Sequence, residues 1–113
     1  MGECIFCRII EGELPSDKVY EDDKVLAFRD IAPAAPVHIL VVSKQHIADL
    51  NGIDEVNSGV VSAIFEAIVK IAGGEGLEKG YRVVGNVGEH AGQTVSHLHF
   101  HILGGRPLSL NLG

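Results

Sequence analysis

The sequence predicts an α+β domain in which one long helix packs against an antiparallel sheet. The prediction rests on five short strand-like runs, one long helical stripe, and turn signals that join strands into hairpins before and after the helix. The chain has 113 residues, a common size for one domain, and no internal repeat or low-complexity linker divides it. We therefore expect a single domain over residues 1–113.

Two helices are predicted from the spacing of apolar residues. A short N-terminal helix is expected over residues 4–10, because its apolar side chains recur at helical spacing and a glycine follows. The long helix is expected over residues 55–72, where apolar side chains recur every three or four positions. Asp54 should cap its first turn, and the glycine pair at 73–74 should end it.

Five strands are predicted from runs rich in β-branched, aromatic and other apolar residues. They are expected over residues Lys18–Glu21, 24–29, Val37–Ser43, 81–86 and 97–103. The first two flank the acidic turn Asp22-Asp23, which indicates a hairpin, and the last two flank a loop rich in glycine. The expected architecture is a five-stranded antiparallel sheet with one long helix and a short N-terminal helix.

Charge and hydropathy exclude several classes of function. Fifteen acidic against nine basic side chains give a net charge of -6, which opposes binding to nucleic-acid backbones or to anionic membranes. No apolar run approaches the ~20 residues of a membrane-spanning helix, and Glu3 precedes any apolar stretch, unlike the basic start of a signal peptide. We therefore expect a cytoplasmic protein with neither nucleic-acid nor membrane partners.

The most informative motif is a strand that carries three alternating histidines, His97, His99 and His101, separated by Leu98 and Phe100. Because side chains of a strand alternate between its two faces, the histidines are expected on one face and the apolar residues in the core. Histidines on that face would stand about 7 Å apart, which suits two imidazoles acting on one phosphate-sized group. A histidine-rich solvated face is the competing interpretation.

A neutral imidazole can attack phosphorus directly, without a separate base to activate it. A backbone carbonyl that accepts a hydrogen bond from the remote ring nitrogen would fix the tautomer and reduce the positive charge that develops on attack. One histidine therefore suffices as a nucleophile, and its neighbours can manage charge and protons.

Residues 97–103 match without a gap the pattern His-φ-His-φ-His-φ-φ, with φ apolar, and so resemble the signature of the histidine-triad (HIT) superfamily. Similarity to its HINT branch is also carried by residues 27–31, 36–42, 80–84, 92–94 and 104–106. The resemblance implies a hydrolase of purine nucleoside phosphoramidates. In that reaction a histidine attacks the α-phosphorus, an amine leaves, and water releases the nucleoside monophosphate. It also implies a homodimer across which the sheet extends, and no organic cofactor.

The resemblance assigns roles by position. His99 corresponds to the nucleophile, His101 to a phosphate contact beside it, and His38 to a supporting partner on the neighbouring strand. Asp30 resembles the family's acid that binds the ribose, a task that suits a carboxylate because it can accept from both hydroxyls. Ile31 is expected to line the same pocket.

The loop before the triad and the N-terminal helix complete the expected nucleotide site. The resemblance surrounds the phosphate with Asn86, Gly92, Gln93 and Thr94. The purine slot corresponds to positions that equally suit a plain core: Ile5, Phe6, Ile9 and Phe28. Two departures from the family pattern bear on the leaving group, since Thr94 replaces a more usual serine and Leu110 replaces a tryptophan of better-known relatives.

Cys4 and Cys7 form a C-x-x-C pair, which alone is compatible with half a zinc site, a redox pair or two idle thiols. His46 and His97 resemble the positions that supply the other two ligands in zinc-bearing bacterial HIT proteins. The resemblance therefore implies a structural Zn²⁺ held by two cysteines and two histidines. This assignment leaves the other two triad histidines for chemistry.

Two further functions stay open. A metal-dependent hydrolase could hold a catalytic zinc with the His-x-His motif and His38, leaving one coordination position open. A nucleotide-binding scaffold would use the same pocket without depending on turnover.

The long helix is the expected dimer interface. Its apolar side chains cover more of the circumference than one packed stripe needs: Val60, Val61, Ile64, Phe65 and Ile68. A second apolar face is therefore available to another copy of the chain.

Overall fold

The structure is a computed structural model that describes residues 4–111. The two helices are α1 (Ile5–Ile10) and α2 (Gly59–Gly74). The five strands are β1 (Lys18–Glu21), β2 (Val25–Arg29), β3 (Val37–Ser43), β4 (Tyr81–Val84) and β5 (His99–Gly104). Every pairing between strands is antiparallel. The predicted α+β class, with one long and one short helix, is confirmed.

The strand order across the sheet is β1-β2-β3-β5-β4. The chain leaves the sheet after β3, forms α2, and returns as β4 at the far edge before β5 fills the gap. In the pairing of β3 with β5, Val42 lies opposite His99 and Leu40 lies opposite His101. The histidine strand therefore lies inside the sheet, with β3 on one side and β4 on the other.

Both faces of the sheet are covered, and each has its own apolar cluster. Helix α2 packs on one face, where Ile64 and Ile68 meet Val41, Phe100 and Ile102. Helix α1 lies on the other face, where a second cluster contains Phe6, Ile9, Leu26, Phe28, Leu40 and Val42. Alternate residues of β2 and β3 thus enter different cores, as the two-residue period of a strand requires.

The long helix begins later than its apolar pattern predicts. Its first residue is Gly59, and Asp54 caps the preceding turn instead, where its Oδ1 accepts hydrogen bonds from the backbone N–H groups of Val56 and Asn57 at 2.8 and 3.1 Å. The helix also continues through the glycines at 73–74. The left-handed turn comes at Gly76, with φ +73°, so both predicted boundaries were wrong by a few residues.

The histidine strand also begins later than predicted, at His99. His97 and Leu98 precede it and are held by the backbone, since Leu98 N–H donates to the carbonyl of Ile47 at 2.6 Å. This hydrogen bond joins the start of the histidine triad to the segment that follows β3. Within residues 4–111, no helix is long and apolar enough to cross a membrane.

Candidate active site

The side chains of the histidine strand alternate between two faces, as its sequence predicts. The apolar residues lie in the core, and His99 and His101 lie on the other face. Leu98, Phe100 and Ile102 are buried in the cluster under α2. The rings of His99 and His101 lie on the other face, with centroids 5.3 Å apart. Their partner across β3 is His38, whose ring centroid is 5.1 Å from that of His101. The structure therefore brings together the three histidines assigned to catalysis.

The tautomer of His99 is set by the backbone. Its Nδ1 lies 2.6 Å from the carbonyl oxygen of His97, and because a carbonyl can only accept, Nδ1 carries the proton and donates it. The neutral ring then has its lone pair on Nε2, the nitrogen that a nucleophile needs. His99 is 9% exposed, and the ring of Phe6 packs edge-to-face against it with centroids 5.1 Å apart.

A second chain of hydrogen bonds sets the tautomer of His101. The backbone N–H of Ala34 donates to Nδ1 of His38 at 2.9 Å, so the neutral ring of His38 carries its proton on Nε2. That nitrogen lies 2.9 Å from Nδ1 of His101 and donates to it. His101 then carries its own proton on Nε2, where it can be donated to a substrate oxygen.

The surroundings of His101 keep its ring neutral. Burial first, and then the neighbouring His99 and His38, lower the pKa of His101 to about 4, although the carboxylate of Asp30 acts in the opposite direction. A neutral His101 can accept from His38 and donate from Nε2 at the same time. Protonation would end that arrangement, because both ring nitrogens of an imidazolium are donors.

Asp30 links the histidines to an open cleft. One carboxylate oxygen, Oδ2, lies 3.4 Å from Nε2 of His38, and the other accepts from the backbone N–H of Ala32 at 2.8 Å. A cleft of about 320 Å³ beside this carboxylate is lined by Ile9, Pro15, Ser16, Asp17, Phe28, Arg29, Asp30 and Ile31. Ile31 is fully exposed at its rim. Ile9, Pro15, Phe28 and Ile31 give the cleft its apolar lining.

The loop between β4 and β5 is braced by its own hydrogen bonds. The side chain of Gln93 accepts from Gly88 N–H at 2.8 Å and donates to the carbonyls of Ala48 and Val95 at 2.9 and 3.0 Å. Asn86 donates to the carbonyl of Ala91 at 2.8 Å. These two amides shape the loop from within. Thr94 is exposed, and Gly92 takes φ +79°, a conformation that suits glycine.

A second cluster joins α1 to the start of the triad. The four atoms that could bind a metal, Sγ of Cys4 and Cys7 and Nδ1 of His46 and His97, all lie within 4.8 Å of one another. Four of the six distances between these atoms run from 3.1 to 3.6 Å. A tetrahedral zinc with bonds of about 2.0–2.3 Å holds its ligand atoms roughly 3.3–3.8 Å apart. The donor set and spacing therefore fit Zn²⁺.

The orientation of His97 supports the same interpretation. Its Nε2 donates to the carbonyl of Ser43 at 2.7 Å, which leaves the Nδ1 lone pair directed at the two sulfurs and His46. Burial lowers the pKa of His97 and thus favours the neutral ring that binds a metal. Burial and a hydrogen bond with Cys4 raise the pKa of Cys7 to about 11, so zinc binding must displace thiol protons.

Sequence reasoning missed one contributor to the site, Ala34, and the close grouping of three residues that it had assigned to the site. Ala34 acts through its backbone N–H, and no residue-type pattern reports such a contact. Asp30, His38 and His101 also form a second group whose polar atoms lie within 4.8 Å of one another. The hydrogen bond between the two histidines accounts for much of that closeness. The signal available in the sequence was the pair of prolines at 33 and 36, which indicates an irregular link beside His38.

Two imidazoles on one strand, a hydrogen-bonded histidine partner on the next strand and an adjoining cleft with apolar side chains are the arrangement expected of a histidine-triad site. The family model described as HIT domain matches residues 11–108. The chain belongs to the HIT family.

Named relatives and solved structures agree with this membership. The chain is 47% identical over 107 residues to a purine nucleoside phosphoramidase of Escherichia coli, covering 94% of this chain and 90% of the relative. It is 51% identical to an uncharacterized HIT-like protein of Synechococcus elongatus, covering 95% and 94%. A HIT family hydrolase from Clostridium thermocellum superposes with a TM-score of 0.97 at 48% identity, covering 99% of this chain and 98% of that one. A histidine triad protein from Clostridium difficile gives 0.95 at 50% identity, covering 98% and 97%.

Proposed function

We propose that this HIT-family hydrolase cleaves purine nucleoside phosphoramidates through a nucleotidyl intermediate on His99. The observation that carries the proposal is the hydrogen bond from Nδ1 of His99 to the carbonyl of His97, which leaves Nε2 ready to attack. The purine nucleoside phosphoramidase of Escherichia coli, 47% identical over nearly the whole chain, supports the same substrate class.

The reaction would proceed in two displacements. Nε2 of His99 forms a bond to the α-phosphorus while the phosphorus–nitrogen bond breaks, and the leaving amine takes a proton from solvent, which the attacking water of the second displacement returns. Water then attacks the phosphorus, the bond to His99 breaks, and the nucleoside monophosphate is released. The Nε2–H of His101 would donate to a phosphate oxygen in both transition states. His38 keeps that proton on the correct nitrogen of His101 by donating to the other one.

The nucleotide would lie across the cleft beside Asp30. Apolar side chains such as Phe28 and Ile31 suit the faces of a purine, and the carboxylate of Asp30 suits the two ribose hydroxyls. The phosphate would then lie toward the histidines and the loop that carries Gly92 and Thr94. Asn86 and Gln93 would act on the phosphate indirectly, since their amides brace the loop.

Turnover of adenosine 5′-phosphoramidate tests this proposal. Replacement of His99 by alanine should reduce kcat by roughly three orders of magnitude or more while the protein still binds AMP, because water lacks the position and activation of the ring. His101→Ala should be impaired less, since it removes a phosphate contact. Intact-protein mass spectrometry after an alkaline quench should detect a nucleotidyl adduct on the wild type and none on His99→Ala.

The control for these variants is His90→Ala, which removes an exposed histidine from the same loop region. It should hydrolyse the substrate at close to the wild-type rate. Near wild-type turnover by His99→Ala, in folded protein, would contradict the assignment of the nucleophile.

The cluster of Cys4, Cys7, His46 and His97 is proposed to hold one structural Zn²⁺ per chain. The metal would tie α1 to the segment that precedes β5, and its four ligands would come from three separate stretches of chain. Elemental analysis of protein purified without chelator should find one zinc per chain in the wild type and in His90→Ala. The double variant Cys4→Ser/Cys7→Ser should lose the zinc, melt at lower temperature and keep measurable turnover. Metal-free wild type would contradict the proposal.

A metal-dependent hydrolase is the second candidate function, and the group formed by Asp30, His38 and His101 is the observation that favours it. A metal held there would be independent of the cysteines. The double cysteine variant separates the two candidates. If it keeps one equivalent of metal and loses turnover on chelation while remaining folded, the metal-dependent mechanism is supported.

A homodimer is proposed from the apolar surface that α2 and the edge strand β4 share. Ile64 and Ile68 are buried in the core, whereas Phe65 is 48% exposed and Val69 is 66% exposed. On the edge strand, Val83 pairs with Ile102 and so shares the α2 face of the sheet, where it is 41% exposed. A second copy would cover this surface and add its strand at the open edge of β4.

A further inference from the structure

Phe6 lies in α1 between Cys4, which caps the helix, and Cys7, and its ring contacts one histidine of the metal cluster and one histidine of the proposed catalytic pair. Its ring meets that of His97 edge-to-face with centroids 5.8 Å apart, and that of His99 at 5.1 Å and an interplanar angle of 86°. Phe6 is 6% exposed and does not line the cleft beside Asp30. Its contacts are therefore with the histidines and the core.

His97 provides a second connection between the same two places. Its ring points Nδ1 at Sγ of Cys4, 3.3 Å away, while its backbone carbonyl accepts from Nδ1 of His99 at 2.6 Å. One residue thus contributes its side chain to the metal cluster and its backbone to the nucleophile.

The backbone at His97 lies outside the sheet. Strand β5 begins at His99, so no ladder hydrogen bond of the sheet fixes the peptide that follows His97. That segment is held by three backbone hydrogen bonds, from Leu98 N–H to the carbonyl of Ile47, from His97 N–H to the carbonyl of Val95 and from Ser43 N–H to the carbonyl of Leu98. The ring of His97 adds a fourth, from Nε2 to the carbonyl of Ser43. The direction of the His97 carbonyl is therefore set by these backbone hydrogen bonds together with the position of the His97 ring, which also contacts His46.

We propose that the centre formed by Cys4, Cys7, His46 and His97 positions the nucleophile, acting through Phe6 and the carbonyl of His97. This inference rests on the proposed function and extends it, because it makes the metal a determinant of kcat as well as of stability. Phe6 and His97 are positioning residues: neither needs to touch the substrate. When the centre is loaded, His99 is held in one tautomer and one orientation.

The physical consequence of emptying the centre follows from the two contacts. Without a metal, the four ligand atoms would separate and α1 would be held to the sheet only by its apolar contacts. The ring of Phe6 could then move relative to His99. A rotated peptide at His97 would also leave Nδ1 of His99 without its carbonyl acceptor. Part of the population would then carry the proton on Nε2 and could not attack. Misplacement of a reacting group by about 1 Å can cost up to roughly a hundredfold in rate.

The first test replaces Phe6 with leucine, which keeps an apolar side chain but removes the ring edge from His99. Its matched control is Phe100→Leu, the same change at the same exposure of 6% on the opposite face of the sheet. Both variants should lose thermal stability. Only Phe6→Leu should lose kcat, by about tenfold or more, with KM for adenosine 5′-phosphoramidate changed by less than about threefold.

The second test removes zinc from the wild type with a chelator and restores it with Zn²⁺ alone. Two-bond ¹⁵N–¹H correlation spectra report which ring nitrogen of each histidine carries the proton. In the loaded protein His99 should show one tautomer, protonated on Nδ1. In the metal-free protein it should show a mixture, and Zn²⁺ should return it to a single tautomer. Zinc-loaded Phe6→Leu keeps the carbonyl of His97 and should keep the Nδ1–H tautomer, so its loss of kcat should come from the orientation of the ring alone.

Two outcomes would overturn the inference: equal kcat losses in Phe6→Leu and Phe100→Leu, or a folded metal-free protein whose His99 keeps the Nδ1–H tautomer and full kcat. If the metal-free wild type unfolds, Phe6→Leu in its zinc-loaded form still decides the question. If the proposed function were wrong, the zinc-loaded wild type would be no faster than His99→Ala, although the tautomer of His99 could still respond to zinc. Failure of the proposed function can therefore be told apart from failure of this inference.

Discussion

The hydrogen-bonded pair of His38 and His101 makes a sharp prediction about pH. Because burial and neighbouring rings lower the pKa of His101 to about 4, its ring should stay neutral well below physiological pH. At pH 5 about 90% of the rings should be neutral, against about 3% for an imidazole with the ordinary pKa of ~6.5. The Nε2–H donor and the acceptor for His38 should therefore persist over the whole range from pH 7 to pH 5.

The direct assay is an NMR titration of the His101 ring in zinc-loaded protein. Its Cε1–H resonance should titrate with a midpoint near pH 4, and ¹⁵N correlation spectra at pH 6 should show a proton on Nε2 and a lone pair on Nδ1. A midpoint close to 6.5 would refute the reasoning, and so would the opposite tautomer. Either result would mean that the ring is more solvated, or bonded differently, than its contacts indicate.

The lowered pKa of His101 also predicts that the free energy of unfolding depends on pH. The folded-state pKa of His101 lies below that of the unfolded chain, so between about pH 4 and ~6.5 the unfolded state binds more protons. Stability should therefore fall as the pH drops through that window, and His101 should contribute no pH dependence above it. One proton limits the slope from this residue to about 1.4 kcal/mol per pH unit. Urea denaturation of wild type and His101→Gln should differ in slope in that window; equal slopes would contradict the prediction.

Two further predictions concern packing and assembly. Gly105→Ala should lower Tm more than Gly12→Ala: both require a positive φ, of +93° and +82°, but only the new Cβ at 105 meets Pro36, at 2.9 Å. The positive φ costs each variant about 1–2 kcal/mol of unfolding free energy, and the overpacking costs the variant at 105 roughly 1–3 kcal/mol more. Calorimetry on both variants would measure this difference. Phe65→Glu should convert a dimer to a monomer in light scattering, because it places a charge in the proposed interface, whereas Lys70→Glu on the opposite flank of α2 should not. A wild type that is monomeric at micromolar concentration would contradict the interface.

A helix or strand could be predicted from the sequence where a single local pattern of residues determines it. The triad strand alternates large apolar residues with histidines, and the two-residue period of a strand leaves one way to bury Leu98 and Phe100. Element ends were less predictable, because several signals compete there. Asp54 has the chemistry of an N-cap, yet it caps a separate turn, and Ser58 occupies the position before α2.

The sequence by itself determined the class of fold, the identity of the chemical groups and the face on which they lie, because side-chain periodicity and residue chemistry are local properties. The state of those groups was decided only by tertiary structure. Which nitrogen of His99 carries the proton depends on the carbonyl of His97, and the tautomer of His101 depends on His38 and the backbone of Ala34. Those partners are set by how β3, β5 and their flanking segments meet. The hydrogen-bond geometry and the burial of these rings arise only when those segments pack together, so no local pattern of residues predicts them.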